Sequence, residues 1–181
     1  MLLRARRSAL LIVDVQERLV PHVHEHARVV DHCRWLAGVA AACEVPVLVT
    51  EHYPSGLGHT VAEVRERVAD GAVVAKDHFS SWAEPAARER IVGLGRKQVV
   101  VAGMEAHVCV LQTVLDLAES GYAVHVVGDA VSSRRPADAE TALARMRAAG
   151  VIVVSPEMVL FEWAERGGTE RFRALHRAFL K

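Results

Sequence analysis

Six short runs of branched apolar residues, each followed by a segment with helical periodicity, constrain the fold of this chain most. A run that is apolar at every position is typical of a strand buried on both faces of a sheet. Strands that alternate with helices form parallel β-α-β units, with crossover helices on both faces of one sheet. The predicted strands span residues 8–13, 45–50, 72–75, 99–102, 123–127 and 151–154.

The segments between the strands have the spacing of helices. Val110, Val114 and Leu117 fall three or four residues apart and predict a helix from about residue 107. Pro21 predicts an interruption in the first helix, and a proline with two glycines makes residues 51–59 a loop. The other predicted helices span residues 17–43, 60–69, 84–94, 136–149 and 156–181, the last broken at 167–168. With 181 residues, the chain is long enough for one domain, which we expect to span residues 1–181.

Charge and cysteine content exclude several classes of partner. The 22 basic residues balance 22 acidic ones, which argues against nucleic acid or an anionic membrane as a partner. Three cysteines are too few for a disulfide framework and favour a reducing compartment. The basic start resembles a signal peptide, but Asp14 ends the apolar run too early, and no stretch is long enough to span a membrane. We therefore expect a cytoplasmic protein. Without a glycine-rich phosphate motif after any strand, no nucleotide cofactor is expected.

Polar residues follow three of the predicted strands. Asp14 comes directly after the first strand, Lys76 after the third, and Cys109 shortly after the fourth. Because parallel strands end at the same edge of a sheet, these side chains are expected to converge. Cys109 would be the nucleophile, Asp14 the base that takes its proton, and Lys76 the cation that holds Asp14 charged or stabilises the thiolate. A helix N-terminus next to Cys109 is expected to lower the pKa of its thiol.

Each of these residues also has a structural interpretation. A free cysteine often only fills space in a core, Asp14 could cap a helix, and Lys76 could be a solvated strand end. Only three of the 22 basic residues are lysines, so a lysine at a strand end indicates a need for a compact ammonium. Cys33 and Cys43 are expected in the core, and the alternating histidines at 22, 24 and 26 indicate a solvated helix start rather than a metal site.

Three motifs resemble the isochorismatase-like cysteine hydrolases, which include nicotinamidases and N-carbamoylsarcosine amidase. The motifs are LLIVDVQ (residues 10–16), AKDHFSSW (75–82) and VVVAGMEAHVCVLQTVLDL (99–117). TEHYPSGLGHTVAEV (50–64) and DAVSSR (129–134) are most similar to the isochorismatase-domain-containing subgroup. The resemblance covers residues 8–154.

The resemblance implies a Rossmann-like, three-layer α/β/α sandwich with a six-stranded parallel sheet. It also implies an Asp14-Lys76-Cys109 triad and a cis peptide between Met104 and Glu105, which lets the Glu105 and Cys109 N–H groups form an oxyanion hole. Family members assemble as dimers or larger, so we expect a homo-oligomer. The apolar C-terminal residues Trp163, Phe172, Leu175, Phe179 and Leu180 would form such a surface or cover the sheet.

The loops at the same sheet edge supply candidate pocket residues, which are Gln16, Tyr53, Phe79, Trp82, Met104 and His107. Nicotinamidases bind a metal in the loop after the second strand. Glu51, His52 and His59 are plausible ligands by chemistry, but their spacing differs from that of the metal-binding relatives. We expect no metal or other cofactor.

Three functions remain open at this point. The leading hypothesis is a cysteine hydrolase that cleaves a small amide or a related C–N bond. An isochorismatase-type vinyl ether hydrolase is the first alternative, against which Cys109 argues because true isochorismatases tend to lack this cysteine. The second is a non-catalytic oligomeric binding protein with the same fold.

Overall fold

A computed structural model describes residues 1–180 of the chain, with a six-stranded, all-parallel sheet at its centre. The strands at residues 8–13 and 98–104, in the middle of the sheet, are buried at every position, as expected for strands covered on both faces. The predicted α/β fold is confirmed. The strands are β1 (Ser8–Val13), β2 (Val47–His52), β3 (Val73–Lys76), β4 (Gln98–Met104), β5 (Ala123–Ser132) and β6 (Ile152–Val154).

The strand order is β3-β2-β1-β4-β5-β6. The chain therefore builds the sheet outwards from β1 to β3, returns to the other side of β1, and builds outwards again from β4 to β6. The direction of winding reverses between β1 and β4, which are paired from Ser8↔Gln98 to Val13↔Gly103. In open α/β sheets, such a reversal leaves a crevice at the carboxyl ends of the two strands, where ligands bind.

Helices cover both faces of the sheet and complete the three layers. The helices α1, α3, α7 and α8 pack over one apolar core, and α4, α5 and α6 pack over the other. The helices are α1 (His26–Ala42), α2 (Pro54–Leu57), α3 (Ala62–Arg65), α4 (Pro85–Gly93), α5 (Leu111–Glu119), α6 (Pro136–Ala148), α7 (Pro156–Ala164) and α8 (Glu170–Phe179). No helix within residues 1–180 is long and apolar enough to cross a bilayer.

Two predicted segments differ from the structure by five residues or more at one end. The helix predicted for residues 17–43 begins only at His26, after a 3₁₀ turn at Val20–His22 and a left-handed Glu25 that breaks the helical path. The fifth strand continues five residues beyond its predicted end, through Gly128 and Asp129. Its pairing with β4 shifts register there and resumes at Gly103↔Val131, so residues typical of a turn lie within an irregular strand.

The segment predicted as a C-terminal helix covers one face of the sheet. Trp163 and Leu175 are buried in the core beside α1, and the ring of Phe179 packs edge-on against Trp35 at 5.9 Å between centroids. Of the two interpretations of this apolar segment, the structure supports the one in which it covers the sheet. The predicted end of this helix, residue 181, lies outside the described residues.

Gly103 allows β4 to approach β1 closely. Its φ is +124°, and a Cβ built on it would lie 2.0 Å from the carbonyl oxygen of Val13. Only glycine tolerates both conditions. Because Val13 precedes Asp14, this contact sets the distance between the end of β1 and the segment that carries Cys109.

Candidate active site

Asp14 is held in one orientation at the end of β1. Its backbone is left-handed, with φ of 53°, a conformation that aspartate tolerates better than most residues. The Thr50 hydroxyl donates to Oδ1 at 2.6 Å, and the Lys76 ammonium donates to Oδ2 at 2.7 Å. Both carboxylate oxygens are therefore fixed by neighbouring strand ends.

Lys76 is fully enclosed and all three of its N–H groups have acceptors. Besides Asp14, Nζ donates to the carbonyl oxygens of His78 at 3.1 Å and Phe79 at 3.0 Å. The Lys76 and Asp14 side chains are both 0% exposed. Lys76 is therefore a buried partner of Asp14 and not a solvated strand end.

Cys109 lies in a π-helical turn, Ala106–Val110, that joins β4 to α5. The residue is 5% exposed. Burial raises the pKa of its thiol, the charge of Asp14 raises it further, and Lys76 opposes both. The expectation of a lowered pKa was therefore wrong, because burial and the neighbouring carboxylate outweigh the ammonium. The charges of Asp14 and Lys76 both act on the thiol, and Asp14 and Cys109 line the same cavity, so the three side chains lie close together.

A cavity of about 620 Å³ opens onto Asp14 and Cys109 at the crevice between β1 and β4. This volume is within the usual range for small-molecule sites. Lys76 lies behind Asp14 and does not line it. The lining residues are Asp14, Arg18, Leu19, His22, His52, Leu57, Phe79, Glu105, Val108, Cys109 and Arg134.

Glu105 forms part of the cavity wall next to Cys109. The peptide bond between Met104 and Glu105 is cis. The Glu105 carboxylate accepts from the backbone N–H of Arg134 at 3.2 Å and from its Nε at 2.9 Å. The wall therefore contains a compensated ion pair that joins the ends of β4 and β5.

The family model of the isochorismatase domain matches residues 8–158, which is most of the chain. The chain belongs to the isochorismatase family. Isochorismatase domain-containing protein 2A of Mus musculus is 36% identical over 172 residues, which cover 94% of this chain and 81% of the mouse protein. Both the resemblance seen in the motifs and the fold that it implies are confirmed.

Solved structures of other proteins share this isochorismatase fold. MAR1 ribonuclease from Caenorhabditis elegans is 34% identical, with a TM-score of 0.93 over 100% of this chain and 93% of that one. YcaC from Pseudomonas aeruginosa, solved with hexane-2,5-diol and covalent acrylamide, is 27% identical, with a TM-score of 0.91 over 99% and 92%. YcaC from Escherichia coli is described as an octameric hydrolase of unknown specificity. It is 24% identical, with a TM-score of 0.91 over 99% of this chain and 91% of that one, and this similarity supports the fold.

Of the six predicted pocket residues in this isochorismatase-family chain, Phe79 alone is among those that line the described cavity. The other five do not line it. Gln16 bridges His52 and Gly58, Tyr53 is exposed, Trp82 packs on Tyr122, Met104 is in the core, and the His107 ring contacts the Ser133 hydroxyl at 2.9 Å. Four of these side chains are held in hydrogen bonds or packing contacts outside the cavity, and the fifth, Tyr53, is exposed.

Most of the cavity wall of this isochorismatase domain was not predicted from the sequence. Arg18 and Leu19 follow Asp14 closely, and that spacing was the available signal for them. Arg134 lies in the DAVSSR motif, but nothing in the sequence indicates its pairing with Glu105 across the wall. His22 was considered only as part of a histidine cluster, and no pattern singles out Leu57 and Val108.

The three residues considered as metal ligands have separate roles. Glu51 accepts from the Thr60 N–H and hydroxyl, both at 2.7 Å, and contacts the His59 ring at 3.0 Å. Burial raises the pKa of Glu51, but the bonds from Thr60 and His59 outweigh burial and lower it overall. His52 lines the cavity and packs on Phe79, and burial together with Lys76 lowers the pKa of its ring. Within residues 1–180, no three histidine, cysteine or acidic side chains are grouped to hold a metal ion.

Proposed function

We propose that this protein is a cysteine hydrolase that cleaves a small amide or a related C–N bond through a thioester on Cys109. The observation that carries the proposal is the buried Asp14–Lys76 pair, whose carboxylate acts on the Cys109 thiol at the base of a cavity. A carboxylate and an ammonium are costly to bury, and a group in a cleft whose pKa is shifted by burial and by a charged partner is a candidate functional residue.

The raised pKa of Cys109 means that its thiol is neutral before the substrate is attacked. Because burial and Asp14 favour the neutral thiol, the nucleophile forms only when Asp14 takes the proton as sulfur attacks the carbonyl carbon. Thr50 and Lys76 fix the two oxygens of Asp14, so the carboxylate is aligned for this transfer. The electrons of the carbonyl bond move onto its oxygen, and the N–H groups of Glu105 and Cys109 stabilise that charge.

The remaining steps return the site to its starting state. The tetrahedral adduct collapses, the C–N bond breaks, and Asp14 gives its proton to the leaving amine or ammonia. Water then attacks the thioester while Asp14 takes a proton from it. The C–S bond breaks, the carboxylic acid leaves, and the sulfur recovers the proton.

Two relatives bear on the choice of substrate. Acrylamide, which is both an amide and a thiol-reactive electrophile, is bound covalently in YcaC from Pseudomonas aeruginosa, and the same reagent is a probe for Cys109 here. The relative from Caenorhabditis elegans is a ribonuclease by name, but the zero net charge of this chain does not favour an RNA substrate. We further propose a homo-oligomer, which the octameric YcaC supports only through the shared fold.

The test is a screen of small amides, ureas and nitriles for release of ammonia, with an RNA oligonucleotide as a separate arm. We expect turnover of at least one C–N substrate and its loss in Cys109→Ala. Cys43→Ala removes another buried thiol outside the cavity and should keep the activity. Undiminished turnover in Cys109→Ala, or cleavage of RNA alone, would refute the proposal.

A further inference from the structure

Arg18 lies at the rim of the cavity and is held there by the loop that follows β2. Its backbone N–H donates to the carbonyl oxygen of Leu57 at 3.0 Å, and its Nη1 donates to that of Gly56 at 2.8 Å. Both carbonyls belong to the short helix α2. The guanidinium is thus oriented by backbone groups while it lines the same cavity as Cys109.

Unlike Asp14 and Glu105 in the cavity wall, Arg18 has no counter-ion among residues 1–180. Asp14 is paired with Lys76 at 2.7 Å, and Glu105 is paired with Arg134 at 2.9 Å. Arg18 contacts a carbonyl oxygen and forms no ion pair with any carboxylate in the part of the chain that the structure describes. The cavity therefore carries an uncompensated positive charge at its rim.

We propose that Arg18 binds a carboxylate of the substrate, so that the preferred substrate is an amide joined to a carboxylate by a short hydrocarbon linker. This inference rests on the proposed function and names its substrate class. A guanidinium has five N–H donors in a planar fork that matches a carboxylate, and the bond to Gly56 uses one of them. Leu19, Leu57 and Phe79 supply an apolar wall for the linker.

Iodoacetate and iodoacetamide test the inference without any need for turnover. Each reagent forms a C–S bond with Cys109 as iodide leaves with the electrons of the C–I bond. The two reagents differ only in that iodoacetate carries a carboxylate where iodoacetamide carries an amide. The measured quantity is the rate at which iodoacetate alkylates Cys109 divided by the rate at which iodoacetamide does. It is compared with the same ratio for 2-mercaptoethanol. We expect a higher ratio at Cys109, and a decrease of about fivefold in Arg18→Gln at low salt.

Arg145→Gln is the matched control. It makes the same charge change on α6, at an exposed position outside the cavity lining, and should leave the ratio unchanged. An equal ratio in the wild type and in Arg18→Gln would overturn the inference. If alkylation is too slow to follow, the binding of succinamate and succinamide to Cys109→Ser, measured by saturation-transfer NMR, makes the same comparison. Stronger binding of succinamate that depends on Arg18 supports the inference, and equal binding overturns it.

Turnover separates this inference from the proposed function. If the chain hydrolyses amides, kcat/KM for succinamate should exceed that for succinamide, and Arg18→Gln should reduce only the former, by about fivefold. An amide hydrolase without that preference would retain the proposed function and lose the inference. An Arg18-dependent alkylation ratio without hydrolysis of any amide would retain anion binding and remove the proposed function.

Discussion

Replacing Lys76 with methionine removes one charge of the buried pair and keeps a side chain of similar length. Asp14 then remains as an unpaired carboxylate whose side chain is 0% exposed. Breaking a buried ion pair in this way costs about 3–5 kcal/mol, because the remaining charge has lost both water and its partner. The carbonyls of His78 and Phe79 also lose a donor, which adds to the cost.

The assay is urea unfolding followed by circular dichroism at one protein concentration. With a slope of about 3 kcal/mol per molar urea, a loss of about 4 kcal/mol lowers the midpoint by roughly 1.3 M. Lys97→Met makes the same substitution at an exposed lysine that lies over the Tyr122 ring at 5.3 Å, and should cost less than about 1 kcal/mol.

The double variant Asp14→Asn/Lys76→Met tests the reason for the loss. Asparagine keeps an acceptor for the Thr50 hydroxyl and carries no charge, so the double variant should be at least about 2 kcal/mol more stable than Lys76→Met alone. A Lys76→Met variant within about 1 kcal/mol of the wild type, or a double variant no more stable than the single one, would show that the buried charge is not the source of the cost.

Two further predictions follow from the thiols. Asp14→Asn should lower the pKa of the Cys109 thiol, since Asp14 raises that pKa and Lys76 lowers it, and it should abolish hydrolysis. The ultraviolet absorbance of the thiolate as a function of pH measures the pKa, with Cys109→Ser as the blank. An unchanged pKa would contradict the prediction. Burial raises the pKa of Cys33 to about 12. The unfolded chain therefore ionises this thiol above about pH 8.5 while the folded chain keeps it neutral, so stability should fall as pH rises from there towards 12. In Cys33→Ala the decrease in unfolding free energy between about pH 8.5 and pH 10 should be smaller by about 1.6 kcal/mol, and an equal decrease in the two proteins, measured by urea titration at each pH, would count against the assignment.

The sequence was sufficient to predict which strand ends meet, because parallel strands bring their carboxyl ends to one edge whatever their separation along the chain. Asp14, Lys76 and Cys109 were found in that way. The state of the thiol was not predictable, since its pKa is set by how deeply the sulfur is buried and by the distance to a carboxylate. Neither quantity has a local pattern in the sequence.

The side chains that line the cavity could not be predicted from the sequence either. Phe79 and Trp82 are aromatic residues three positions apart in one loop, yet Phe79 lines the cavity and Trp82 packs on Tyr122. Which of the two faces the cavity depends on the path of the loop around the Lys76 ammonium, which bonds to the carbonyls of His78 and Phe79. The pairing of Glu105 with Arg134 likewise depends on the irregular course of β5.

The reversal of winding between β1 and β4 divides the proposed triad between two parts of the polypeptide. The acid and the amine come from the segment that builds one side of the sheet, and the sulfur comes from the segment that builds the other. Neither segment by itself contains a reactive centre. A fragment ending before β4 would hold the Asp14–Lys76 pair without Cys109. The proposed activity therefore requires that the two parts of the chain pair along β1 and β4.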